Sequence, residues 1–169
     1  MAETRIDIAV NEKGSSDVTR ALHSVADALQ SLSPTAAMSM RGRALRVGVS
    51  TDKLVKKVAM AVLDKVVHAT PHDTGQARAN WKVTVQETSP SDGPFFGELD
   101  YDGDRTVAEG QSIMGESPRE AGQTIWISNA LPYIEALNDG WSNQAAAGFV
   151  GLAVQQGSTV ARNSKLLEK

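Results

Sequence analysis

The sequence predicts an α+β fold: a small antiparallel sheet packed on a long central helix, with extended N-terminal and loop arms. Two observations carry that expectation. Leu54, Val58, Ala61, Val62, Lys65 and Val66 lie along one side of a helix that Val55, Met60, Leu63 and Val67 widen, leaving it too apolar to stand alone. Three alternating segments, Thr4 to Val10, Trp81 to Gln86 and Thr124 to Ser128, supply strands to cover it.

In chain order, Ile6, Ile8 and Val10 alternate with Arg5, Asp7 and Ala9 in a strand that Asn11-Glu12-Lys13-Gly14 ends. Ser16 caps a helix in which Val18, Leu22, Val25, Leu29 and Leu32 form one stripe, and Ser33-Pro34 ends it. Thr35 to Gly48 reads as a connection with some strand character, holding Leu45 and Val47 beside Arg41, Arg43 and Arg46. Ser50 or Thr51 then caps the long helix. It stops at Thr70-Pro71, because a residue before proline is pushed out of helical geometry and proline has no amide donor. Asp73-Thr74-Gly75 offers a side-chain cap and a residue free to take positive φ. The following strand puts Trp81, Val83 and Val85 on one face, with Lys82, Thr84 and Gln86 on the other. Residues 88 to 123, rich in Ser, Pro, Gly and acids, read as a long loop or insertion that a partner orders. After the Thr124 strand, Asn129 to Tyr133 turns into a short helix, Ile134 to Asn138, closed by Asp139-Gly140. Gly148 to Val160 forms a final helix weakened by Gly151 and Gly157. The chain thus divides into an N-terminal strand, helix and arm (1–50), an α+β domain (51–160) and a polar tail (161–169).

At 169 residues, one compact domain with appendages is the default. Hydrophobic residues make up 41% but aromatics only 5%, so the core rests on Ala, Val, Leu and Ile, with tryptophans as anchors. Trp81, Tyr133 and Trp141 sit near turns, which suits core anchoring in the first place and subunit contact in the second. A net charge of −3 gives no global attraction to phosphate backbones. The absence of cysteine excludes disulfides, thiolate metal sites and cysteine nucleophiles. The sequence contains no basic run leading into an apolar stretch and no window of membrane-span length, so cytosol-like conditions and no membrane partner are expected.

Candidate chemistry is sparse. Asp-Thr-Gly also carries the catalytic aspartate of aspartic proteases, but that chemistry needs two carboxylates sharing a proton, and here the tripeptide occurs once, after a helix-ending Thr-Pro-His. A structural turn at Pro71, Asp73, Thr74 and Gly75 is the preferred reading. The acidic run Glu98 to Asp104 fails as a calcium loop, since Arg105 stands where glycine is needed and Gln111 where the bidentate glutamate is needed. Pro71 separates His68 from His72 and breaks the helical face a ligand pair would use. No phosphate loop, nucleophile elbow or metalloprotease pattern occurs, so no catalytic, cofactor-binding or metal-binding residue is assigned.

The more specific signal is an ordered layout: a helix, then Pro71-x-Asp73-Thr74-Gly75-x-x-Arg78-x-x-Trp81 leading into a strand. A second strand ends in Asn129-x-x-Pro132-Tyr133, and Leu137-x-x-Gly140-Trp141-Ser142, Ala145 and Gly148 follow. Over about residues 51 to 155 this layout resembles the tail-completion, or head-to-tail joining, proteins of tailed bacteriophages, often called neck proteins. The resemblance implies a virion component without catalytic activity or cofactor, formed in the host cytoplasm and placed in the neck. There it would form a homo-oligomeric ring, six-fold or alternatively twelve-fold, between the capsid connector or adaptor and the tail terminator or tail tube proteins. DNA would pass through its lumen without sequence-specific binding. Residues 1 to 50 and the insertion between the strands lie outside the matched pattern. Two other classes stand beside it: a DNA-binding module using Arg41, Arg43, Arg46, Lys53, Lys56 and Lys57, and a hydrolytic enzyme built on Asp73 with His68 and His72.

Overall fold

A computed structural model describes residues 5–11, 20, 23–28, 30, 33–117 and 123–164. Its centre is helix α1, Pro34–Ala69, 36 residues and about 54 Å at 1.5 Å per residue. Ser33 caps α1, its Oγ accepting the Ala36 N–H at 3.4 Å, and Pro34 occupies the first turn, where a missing amide donor costs nothing.

The expected connection at 35–48 and the cap at Ser50 or Thr51 are therefore corrected: both segments are interior to α1. Ser33-Pro34 reads equally well as the end of one helix and the start of another, and here it is a start. Ala37 and Ala44, two turns apart, are fully buried, and a helical segment at 23–28 lies beside the first half of α1. Arg41 fixes that contact, donating to Asp27 Oδ1 at 2.9 Å and Gln30 Oε1 at 2.6 Å. Ser16, Val18, Leu22, Leu29 and Leu32 of the expected N-terminal stripe lie outside the described residues, and Val25 is exposed.

Strands β1 (Ile6–Val10), β2 (Lys82–Gln86) and β3 (Thr124–Asn129) form an antiparallel sheet of order β1-β3-β2. Register places Ile8, Ile127 and Val83 in one row and Val10, Ile125 and Val85 in the next, all on the face that joins Leu63, Val66 and Val67 of α1 in the core. The opposite face carries Asp7, Ser128 and Lys82, and residues 89–92 are tied to its edge. Ser89 Oγ donates to Asp7 Oδ2 at 2.7 Å and Arg5 Nη1 to the Asp92 carbonyl at 2.8 Å.

The 88–123 stretch is not one loop. It contains helix α3, Asp104–Glu116, which follows the short α2, Gln76–Ala79, and packs on α1 and β2. Val107, Gly110 and Met114 are its buried face at helical spacing. Gly110 is there for close packing: a Cβ would lie 2.4 Å from Leu63 Cδ2 and 2.8 Å from Val83 Cγ2. On α1's other flank, α5 (Phe149–Asn163) follows α4 (Ile134–Asn138). Gly157, expected to weaken α5, is instead its point of closest approach, since a Cβ would stand 2.4 Å from Val62 Cγ2. α1 also runs through the expected division at 50/51, and β1 shares one sheet with β2 and β3. Among the described residues no helix is long and apolar enough to cross a membrane.

Candidate functional site

The Pro71-to-Trp81 segment is a joint whose polar groups are committed to backbone. α1 ends at Thr70, with extended ψ of 128°, as the following proline requires. Thr70 is fully buried and its hydroxyl works twice: it donates to the Val66 carbonyl at 2.7 Å and accepts the Trp81 Nε1–H at 2.8 Å. Trp81 is thereby anchored in the core by both its ring and its one polar atom. Arg78 reaches back across the joint. Its Nε donates to the Thr70 carbonyl (3.0 Å) and Nη2 to the His68 carbonyl (3.1 Å), while Nη1 donates to Tyr101 (2.8 Å) and Asp102 (3.1 Å). A guanidinium at the carbonyl end of α1 satisfies groups the helix leaves open, and it sits favourably in the helix dipole.

Gly75 takes φ +86°, and a Cβ there would lie 2.6 Å from the backbone of Asp100 and Tyr101. Two constraints therefore select glycine, handedness and the passing chain. Within the tripeptide it is Thr74 that supplies the local side-chain bond, accepting the Gln76 N–H at 3.4 Å, while Asp73 is exposed. The passing chain is itself built around Asp100. Its carboxylate accepts from Gly103 N (3.1 Å), Thr106 N (2.7 Å) and Thr106 Oγ1 (2.6 Å), so it caps α3 from outside the helix. Burial pushes its pKa up, but the bonds from Thr106 and Gly103 and the charge of Arg105 outweigh this and hold the carboxyl below its ordinary value.

The second group of expected residues meets the first. Asn129, fully buried at the end of β3, donates to the Ala77 carbonyl at 2.9 Å and accepts the Leu131 N–H at 3.2 Å. Gly140 closes α4 at φ +95°, with Gly140 N–H on the Leu137 carbonyl (3.2 Å) and Trp141 N–H on Ala136 (3.1 Å), the paired bonds of a Schellman ending. Gly148, φ +79°, opens α5 and donates to the Asn138 carbonyl at 2.6 Å. Between the two groups lies an open cleft of about 350 Å³, lined on one side by Pro71, Asp73 and Thr74 and on the other by Tyr133, Leu137 and Ser142. Gln144 crosses its end, accepting the His72 N–H at 2.9 Å. Partial burial raises the Tyr133 phenol pKa above its ordinary value. Pro132 is exposed beside it, and Ala145 packs against the core from the turn before Gly148.

No family model, curated protein or solved structure matches the chain. What the site can do follows from its own groups. Among the described residues Asp73 is the one carboxylate lining the cleft, whereas a proton-sharing pair needs two. His68 stands apart, bridging Asp104 (3.1 Å) and the Asp64 carbonyl (2.9 Å); burial favours its neutral form, but the bond to Asp104 and the charge of Asp64 outweigh it and raise its pKa. His72 packs edge-on against Tyr101, ring centroids 4.5 Å apart. Among the described residues no group of three His, Asp or Glu side chains is placed to hold a metal ion.

Core anchoring holds for Trp81 alone. Trp141 is 84% exposed and Tyr133 is exposed, and Phe96 (71% exposed), Leu99 and Tyr101 add to an aromatic surface around the joint. Sequence reasoning missed the capping role of Asp100, the double use of the Thr70 hydroxyl, Asn80, and the exposed Phe96 and Tyr101. Asn80 joins the 95 loop to the joint by donating to the Phe95 carbonyl (2.7 Å) and accepting its N–H (2.7 Å). A polar residue immediately before the buried Trp81 is the signal that could have found it.

Proposed function

We propose that the chain is a structural virion protein of a tailed bacteriophage, forming a ring in the neck that joins the capsid connector to the tail and lets DNA pass. The observation that carries this reading is the convergence of residues 71–81, 129–133 and 137–148 on one joint and its cleft. Arg78, Asn129, Thr70 and Gly75 are spent on holding backbone, the use a structural subunit makes of such residues, and no reacting group is left poised among them. Around the joint the exposed aromatics offer the side chains that dominate subunit contacts. β1 and β2 are both edges of a three-stranded sheet, which a closed ring of copies can cover. The net charge of −3 suits a lumen through which DNA slides without sticking.

The test is the mass of the assembled particle, alone and mixed with connector and tail proteins, followed by image reconstruction. A closed ring on the tail axis, six-fold or twelve-fold, is expected. Single or paired copies off the axis overturn the reading. A second reading rests on the exposed Arg43, Arg46, Lys53 and Lys57 of α1, which would suit a DNA-binding module; a steeply salt-dependent affinity for duplex DNA would favour it.

A further inference from the structure

α1 carries opposite chemistry at its two ends. Its first two thirds, residues 34 to 57, hold six basic residues and the single acid Asp52. Met38 (72% exposed) and Leu45 (68% exposed) stand two turns apart on one outer stripe, flanked by exposed Arg46, Lys53 and Lys57. At the other end, the chain that lies against the joint, residues 92 to 104, holds five acids and no base. Asp100 is occupied in capping α3, Glu98 pairs with Arg105 and Asp104 with His68, while Asp92 and Asp102 are exposed, as is Asp73 in the cleft. The same end presents Phe96, Leu99, Tyr101, Tyr133 and Trp141. Arg78, the cation at its centre, spends its donors on four carbonyls.

Resting on the ring reading above, we propose that the aromatic, acidic end of one copy docks on the basic, apolar stripe of α1 between Met38 and Lys57 in the next. The occupant of each surface is thus a second copy of this chain. Charge and apolarity match in both directions: the acids oppose Arg46, Lys53 and Lys57, and the aromatic rings cover Met38 and Leu45. Like surfaces repel, which disfavours a two-fold dimer through either one. Because the two surfaces differ and occupy different stretches of α1, the contact is head-to-tail, and such contacts propagate until a rotation closes them.

The absence of cysteine makes the test clean. Leu45→Cys and Phe96→Cys are made in separate chains, mixed at high protein concentration under mild oxidation, and the linked products weighed. Mixed Leu45→Cys to Phe96→Cys links are expected to outrun links between identical chains and to slow with added salt. Arg46→Glu with Lys53→Glu in the first chain should slow mixed linking about tenfold, and Asp73→Lys with Asp102→Lys in the second should restore it. Circular dichroism of each variant checks that the fold survives. Links between identical chains at the mixed rate, or mixed links indifferent to charge reversal, overturn the proposal. So does duplex DNA binding that Arg46→Glu with Lys53→Glu abolishes while linking is unchanged. A closed particle without these links rejects this pair of surfaces and leaves the ring standing, whereas two-fold dimers alone reject the ring.

Discussion

Replacing Gly75 with alanine separates two costs that glycine avoids. At φ +86° an alanine sits in the left-handed region, a penalty of about 1–2 kcal/mol. Its Cβ would also lie 2.6 Å from Asp100 C and Tyr101 N, backbone atoms that cannot swing aside. That segment is pinned by Arg78 on the carbonyls of Tyr101 and Asp102 and by the Asp100 carboxylate on α3. Displacing it adds about 1–3 kcal/mol, the usual cost of overpacking. Gly148 provides the control: it takes φ +79°, yet nothing lies within 4 Å of its Cβ position, so alanine there meets only the first cost. Restricting the unfolded chain stabilises both variants alike and drops out of the difference. In urea, with a slope of about 2 kcal/mol per molar, the Gly75→Ala midpoint should fall about 0.5–1.5 M below that of Gly148→Ala. Equal midpoints would refute the close approach as the reason for glycine at 75.

Thr70→Val keeps the shape of the side chain but strips the buried Trp81 Nε1–H of its acceptor, so a loss of about 1–3 kcal/mol is expected by urea unfolding. Trp81→Phe, which removes the donor, should cost less when made on Thr70→Val than when made on the parent chain. The Asp100 carboxyl is held below its ordinary value in the folded state, so its contribution is present above the unfolded pKa near 3.8 and is lost as pH falls through the folded value. Amide exchange in the first turn of α3 should therefore speed up below about pH 4 in the parent, and Asp100→Asn should show that faster exchange already at neutral pH. In α5, Gly151→Ala should stabilise by about 0.5–1 kcal/mol, because the position is open. Gly157→Ala should destabilise by up to about 2 kcal/mol as its Cβ meets Val62, and thermal unfolding should show the opposite signs.

The parts of the fold legible in the sequence are those set by local rules. The alternation of Val83 and Val85, the Thr70-Pro71 stop and the Asp139-Gly140 ending each depend on neighbours along the chain, and each stands where periodicity puts it. The errors arise where a distant partner decides. Met38, Leu45 and three arginines look ambiguous until the start of α1 is seen to bury alanines, Ala37 and Ala44, which mark a helical stripe far less clearly than large apolar residues do. α3 was hidden because its buried face, Val107, Gly110 and Met114, includes a glycine that reads as a breaker but fits beneath Leu63 and Val83. Of the candidate site, the turn residues were legible. Their partners were not, since Arg78 bonds carbonyls, which any sequence supplies, and Trp141 is aromatic without being buried.

The placement of β3 at the centre of the sheet has a consequence for synthesis. β1 and β2 do not touch each other; each pairs with β3, and Ile6 finds its partner only at Asn129. A growing chain therefore carries two single strands, with the sheet side of the core incomplete, until residue 129 has left the ribosome. Sheet formation then begins from the last strand made, and pairing it with β1 closes the long loop from Ile6 to Asn129, a slow step during which the sheet side of α1 is the surface a folding helper would hold.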